Sequence, residues 1–119
     1  IKKHIEIRNI RSKIIECNTI REKNGIACSS RNFSLNKDQM KIASNIFYYL
    51  SDIKKKIKNN YSLFNVNKIK KDLIYLGATK IDYLENYNIR SFKKIKRPNK
   101  KFNLFFAYYI KNIRLIDNI

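Results

Sequence analysis

Ile42, Ile46, Tyr49 or Leu50, Ile53 and Ile57 recur at intervals of three and four along one unbroken stretch of the chain. At 3.6 residues per turn this spacing gathers them on one face of a helix, and that face must find a core to lie against. The start of the helix is written in the sequence as well. Asn36 is an N-cap residue type, and Gln39 three positions later completes a capping-box pair, which makes Lys37 the first helical residue. Asn59, Asn60, Tyr61 and Ser62 end it. A stripe of this kind packs against other apolar groups; it is not a cofactor-binding box. Ile69, Leu73 and Leu76 repeat the helical interval up to Gly77, which readily takes the left-handed C-cap conformation, so a second helix closes there.

Elsewhere the periodicity differs. Residues 13–20 form a short β-branched run that predicts a strand. Asn24-Gly25 then marks a turn, and a loop continues through Ile26, Ala27, Cys28, Ser29, Ser30, Arg31 and Asn32. Residues 80–85 alternate with a period of two, and residues 102–110, with five aromatic side chains, are the strongest strand candidate. Between them a basic stretch from Lys93 to Lys101 holds Pro98, the single proline, which predicts a loop. The chain opens on Ile1 rather than Met, directly in an amphipathic pattern of Ile1, Ile5 and Ile7, which reads as a cut end. Its 119 residues suffice for one small domain with its own core, with a remnant of a second.

Lys and Arg total 27 against 9 for Asp and Glu, a formal net charge of +18. Such an excess points to nucleic acid or an anionic membrane surface as partner. Lys, Ile and Asn are abundant together, however, and all three have AT-rich codons. A drifting genome would place Lys at neutral surface positions, and Lys54, Lys55, Lys56 and Lys58 fall where a helix faces solvent. No stretch approaches the roughly 18 to 20 apolar residues of a membrane-spanning helix, and no signal peptide is visible, so the expectation is a soluble cytoplasmic protein without a membrane partner. Cys17 and Cys28 lie in no metal, redox or disulfide pattern and read as reduced thiols.

The run Arg21-Glu22-Lys23-Asn24-Gly25-Ile26-Ala27-Cys28-Ser29-Ser30-Arg31-Asn32 resembles the R-E-x-D-G-L-A-x-S-S-R-N signature of the pantothenate synthetases. Two later blocks resemble the same family in the same order. Ile81-Asp82-Tyr83-Leu84-Glu85 is similar to its I/V-D-Y-V-E strand, and Ala107 followed by Arg114-Leu115-Ile116-Asp117-Asn118 is similar to its closing A-x-x-x-G-x-x-R-L-I-D-N. The chain departs from the pattern at Asn18, where the family usually has proline, at Asn24 in place of aspartate, and at Lys111 in place of glycine. Asn-Gly makes a turn as readily as Asp-Gly.

The resemblance implies an α+β architecture: residues 1–34 as the end of a Rossmann-like nucleotidyl-transferase domain, and residues 35–119 as a C-terminal lid of helices on a small antiparallel sheet. It implies an ATP-dependent ligase that joins pantoate to β-alanine through a pantoyl adenylate, with Mg2+ accompanying the nucleotide, in a family that is typically homodimeric. The S-S-R loop is similar to the KMSKS loop of class I aminoacyl-tRNA synthetases. Carried over position by position, Ile20, Cys28, Ser29, Ser30 and Arg31 bind ATP, with Arg31 the catalytic group and Ile20 acting through its main chain; no residue is a metal ligand. The chemistry suits these residue types, because a pentavalent α-phosphate spreads charge over oxygens that fixed donors stabilise. Arg offers a planar fork and Ser a hydroxyl. The family's H-x-G-H motif, pantoate-binding glutamines and K-D pair have no match here, so the chain alone is expected to have little or no ligase activity. His4, the single histidine, is expected on a helix surface. The competing reading is a basic nucleic-acid-binding module, with Phe102, Phe105, Phe106, Tyr108 and Tyr109 as stacking residues; core packing accounts for them better, because neighbours on a strand face opposite ways.

Overall fold

A computed structural model describes residues 1–89, 91, 93–95 and 102–119. The capping box forms as the sequence predicts. The Asn36 side chain accepts from the Gln39 backbone N–H at 2.9 Å, and the Gln39 side chain accepts from the Asn36 N–H at the same distance. Helix α2 follows at Lys37–Asn59, after a short α1 at Lys2–Ile7 that carries His4 exposed on its surface. Along α2 the face bearing Ala43, Ile46, Leu50 and Ile57 is buried, with Ile42, Tyr49 and Ile53 at its margins. Lys55, Lys56 and Lys58 face solvent as expected. Lys54 does not: it is half-buried and donates to Asn103 Oδ1 at 3.1 Å, and burial followed by the nearby Lys58 charge depresses its pKa. The physical reason is its place four residues after Leu50 and three before Ile57, at the border of the apolar stripe.

Helix α3 spans Val66–Tyr75 and ends where Gly77 is expected to end it. Gly77 has φ +112; its N–H donates to the Ile74 carbonyl, and the Ala78 N–H reaches back to the Leu73 carbonyl at 3.0 Å. Together these form the paired hydrogen bonds of a Schellman motif.

Three strands follow: β1 at Lys80–Asn88, β2 at Phe102–Ile110 and β3 at Ile113–Asn118. They make one antiparallel sheet in the order β1-β2-β3, with a register shift at Ile81/Tyr83 that sets Asp82 on a bulge. The inner face of β2 presents Phe102, Leu104, Phe106, Tyr108 and Ile110 to the helices, all buried, while Phe105 and Tyr109 lie half-buried on the outer face. The fold is therefore α+β, with one core between two helices and a small sheet, each fully buried Leu, Ile or Phe contributing about 1.5 to 3 kcal/mol.

Two readings of the sequence need correction. β3 is a strand that the sequence pattern does not announce. Its hairpin turn consists of Lys111 and Asn112, with Lys111 at φ +52, a positive-φ turn position that Gly, Asn or Asp ordinarily signals. The strand expected at residues 13–20 is not formed: the segment is irregular, and only Ile14 there is even half-buried. β-branched residues favour strand backbone, but a strand also needs a ladder, and no strand among the described residues pairs with this one. Pro98 and its neighbours 96–101 lie outside the described residues.

Candidate functional site

The chain between residues 20 and 34 is a tight structure made by its own polar groups. Arg21 and Ala27 pair as an isolated antiparallel bridge. Across it the Glu22 N–H donates to the Ile26 carbonyl at 2.8 Å and the Cys28 N–H to the Ile20 carbonyl at 3.0 Å. The turn falls at the predicted Asn24-Gly25. Gly25 has φ +86, and the Asn24 side-chain oxygen accepts from the Ile26 N–H, so Asn serves there as Asp would. Glycine is required at 25 for a second reason: a Cβ would sit 2.3 Å from Phe47 Cδ1. Ser44 of α2 donates its hydroxyl to the Asn24 carbonyl, which fixes the turn against the helix.

Beyond the bridge, Ser29 caps a 3-10 helix at Ser30–Ser34 by accepting from the Arg31 N–H. Asn32 is buried beneath it, donating from Nδ2 to Glu22 Oε1 at 2.6 Å and to the Ala27 carbonyl at 3.0 Å. Asn32 Oδ1 is buried without a partner among the described residues.

Arg21 anchors the turn through four side-chain hydrogen bonds. Nη1 donates to Gly25 O at 3.0 Å and to Asp117 Oδ2 at 2.6 Å; Nη2 donates to Asp117 Oδ1 and to Asn118 O, both at 3.0 Å. The guanidinium also lies 4.6 Å over the centre of the Phe47 ring. This is a two-pronged pair with little solvent around it, the strong form of an Arg–carboxylate contact. A second pair, Arg114 to Asp82 at 2.6 Å, joins β3 to the bulge of β1 across the outer face. All three blocks that carry the resemblance are thus tied together by their charged residues.

The residues singled out for ATP behave otherwise. Cys28, Ser29, Ser30 and Arg31 are exposed, and the Ile20 side chain is 76% exposed. The Arg31 guanidinium makes no hydrogen bond or ion pair among the described residues. Ser29 and Arg31 rim a cleft of about 50 Å³ between the loop and β3, with Asn32, Phe47, Tyr108 and Asp117 deeper in it. Burial, helped by the Asp117 charge, pushes the Tyr108 phenol above its ordinary pKa, so it stays neutral. The structure brings Ser29, Ser30 and Arg31 together on one exposed turn. The Cys28 N–H is taken up by the Ile20 carbonyl at 3.0 Å, so that N–H is not free to meet another group. Sequence reasoning places Arg21, Glu22, Asn32 and Asp117 within its motifs but gives them no role in the site. The opposite charges of Arg21 and Asp117 in distant blocks are the available signal; that they meet is not visible there.

A sequence model of the pantoate-beta-alanine ligase family matches residues 1–119. The pantothenate synthetase of Caldicellulosiruptor saccharolyticus is 37% identical over all of this chain and 43% of its own length, and that of Ruthia magnifica is 38% identical over 84% of this chain and 36% of its own. A pantoate-beta-alanine ligase from Francisella tularensis, solved in complex with beta-gamma ATP and beta-alanine, superposes at a TM-score of 0.65 with 29% identity, over 99% of this chain and 37% of that one. The pantothenate synthetase of Thermus thermophilus shares the fold at a TM-score of 0.80, with 19% identity, over 99% of this chain and 43% of that one. The chain thus spans less than half the length of these relatives. With its whole length matched by the family's sequence model and its three motif blocks locked in one packed unit, the chain belongs to the pantoate-beta-alanine ligase family.

Proposed function

We propose that this chain supplies the phosphate-gripping loop and lid of an ATP-dependent ligase that condenses pantoate with β-alanine. One observation carries the reading: of the three arginines in the motif blocks, Arg21 and Arg114 are committed to carboxylates, while Arg31 has no ionic partner among the described residues and stands beside two serine hydroxyls at a cleft rim. An exposed guanidinium with neighbouring hydroxyls on a turn held rigid from beneath is a donor set aimed at an anion.

In the proposed reaction the pantoate carboxylate attacks the α-phosphate of ATP, giving pantoyl adenylate and pyrophosphate; the β-alanine amine then displaces AMP. Arg31 and the hydroxyls of Ser29 and Ser30 hold phosphate oxygens as charge builds, and Ile20 and Cys28 contribute main-chain atoms. Mg2+ would accompany the nucleotide, where it would neutralise phosphate charge. The lid, residues 35–119, would exclude water from the adenylate. Because the substrate pockets belong to segments that this chain does not match, the chain alone is expected to form little pantothenate.

The aromatic outer face of the sheet favours one other reading. Tyr83, Tyr87, Phe105 and Tyr109 lie there half-buried, with Lys94 Nζ 5.9 Å from the Tyr87 ring centre and Lys80 Nζ 5.5 Å from that of Tyr109. Bases could stack on such a face.

Calorimetry separates the two. Mg-ATP titrated into the chain should bind weakly, and Arg31→Ala should remove most of that binding, whereas heparin and a single-stranded oligonucleotide should be indifferent to the substitution. Equal affinity for every polyanion, unaffected by Arg31, would sink the ligase reading and favour the basic module.

A further inference from the structure

The loop that carries Arg31 falls, by its chemistry, within the ATP-binding unit assigned to residues 1–34, yet its strongest attachments run to the far end of the chain. Arg21 at the loop's base makes four hydrogen bonds and a ring contact: one bond to the Gly25 carbonyl within the loop, and three to β3, namely both Asp117 carboxylate oxygens and the Asn118 carbonyl. The pair is shielded, with side-chain exposures of 22% for Arg21 and 12% for Asp117. Among the described residues, residues 1–20 hold the loop by one hydrogen bond, Cys28 N–H to Ile20 O.

We infer that Arg21 and Asp117 are positioning residues for nucleotide binding: the fork between them seats the Ser29–Arg31 turn on β3, so that Arg31 is presented to the phosphates by the sheet. This rests on the reading of Arg31 as a phosphate contact and extends it. A guanidinium bonded to Gly25 O fixes the turn, and the same guanidinium bonded to both Asp117 oxygens fixes that turn's distance from β3. Glu22, through Asn32, passes the constraint up to the 3-10 helix that begins at Ser30. An ammonium at position 21 keeps the charge but cannot form the planar two-pronged contact or the ring stacking.

The test is a cycle measured at a temperature where every variant is folded by circular dichroism: the parent chain, Arg21→Lys, Arg31→Ala and the double variant, each titrated with Mg-ATP. Arg21→Lys should weaken binding about fivefold, since small misplacements of a positioned group are costly. Added to Arg31→Ala it should cause no further loss, because Arg21 acts through Arg31. A residue that merely holds the fold together would lower the melting temperature and leave the affinity of the folded protein unchanged. Parent-like affinity in Arg21→Lys therefore overturns the inference while leaving the ATP reading intact, and so does a loss that adds fully to that of Arg31→Ala. Should Arg21→Lys not fold, Asp117→Asn keeps the side-chain shape and takes its place. If the parent itself binds no Mg-ATP, the proposed function fails first; hydrogen exchange then decides the seating. Faster exchange at the Arg31 and Asn32 amides in the variant supports it, and unchanged exchange overturns it.

Discussion

Isoleucine occupies opposite extremes in the two parts of this molecule. In residues 1–20, Ile1, Ile7, Ile15 and Ile20 are between 68% and 94% exposed; in α2 and α3, Ile46, Ile57 and Ile69 are at 2% or less. The side chain is the same and so is its preference for leaving water. What differs is the presence of a second surface. α2 lays a stripe of such residues against the sheet, whereas residues 10–20 meet no such layer among the described residues. An apolar pattern thus states a demand for burial, and only a facing element meets it.

Paired truncations sharpen this contrast most. Leu50→Ala, at a site with no exposed surface, should lower unfolding free energy by about 2 to 5 kcal/mol in chemical denaturation. Ile15→Ala, at a site 76% exposed, should change it by less than about 0.5 kcal/mol. Comparable losses at the two sites would mean that residues 10–20 pack in solution. A smaller effect is expected at the seam where the loop meets α2. Gly25→Ala must take φ +86 and displace the Phe47 ring beneath Arg21, at a cost of about 1 to 3 kcal/mol. A melting curve equal to the parent's would show that the turn is not held as described. The smallest change is a gain: Lys111→Gly relieves φ +52 at an exposed hairpin position and should raise stability by about 1 kcal/mol. Thermal melts read its sign, and a loss would mean that backbone strain at that turn is outweighed by the freedom glycine gains when unfolded.

Legibility followed the range of the interactions. The Asn36 and Gln39 box, the closure of α3 at Gly77 and the limits of β2 are readable because each is decided within a few residues by local hydrogen bonding or periodicity. The run at 13–20 misleads because β-branching reports a backbone preference and says nothing about a neighbouring strand. β3 escapes notice because Lys111-Asn112 does not look like a hairpin turn, and Lys54 because a basic run conceals which of its members borders the stripe. For the candidate site, Ser29, Ser30 and Arg31 are found through resemblance to the family signature, and their exposure on one turn agrees with that use. Arg21 stands in the same signature, and nothing local distinguishes it from Arg31.

The sequence by itself determined the caps, the helical stripe, the Asn24-Gly25 turn and the family to which the chain belongs, because these depend on residue types at short fixed spacings. Tertiary structure alone decided that Arg21 is tied to a carboxylate while Arg31 has no such partner among the described residues. Arg21 and Asp117 are 96 positions apart, and a charge acts as a structural tie only where folding brings its counter-charge within hydrogen-bond reach and removes water from around both.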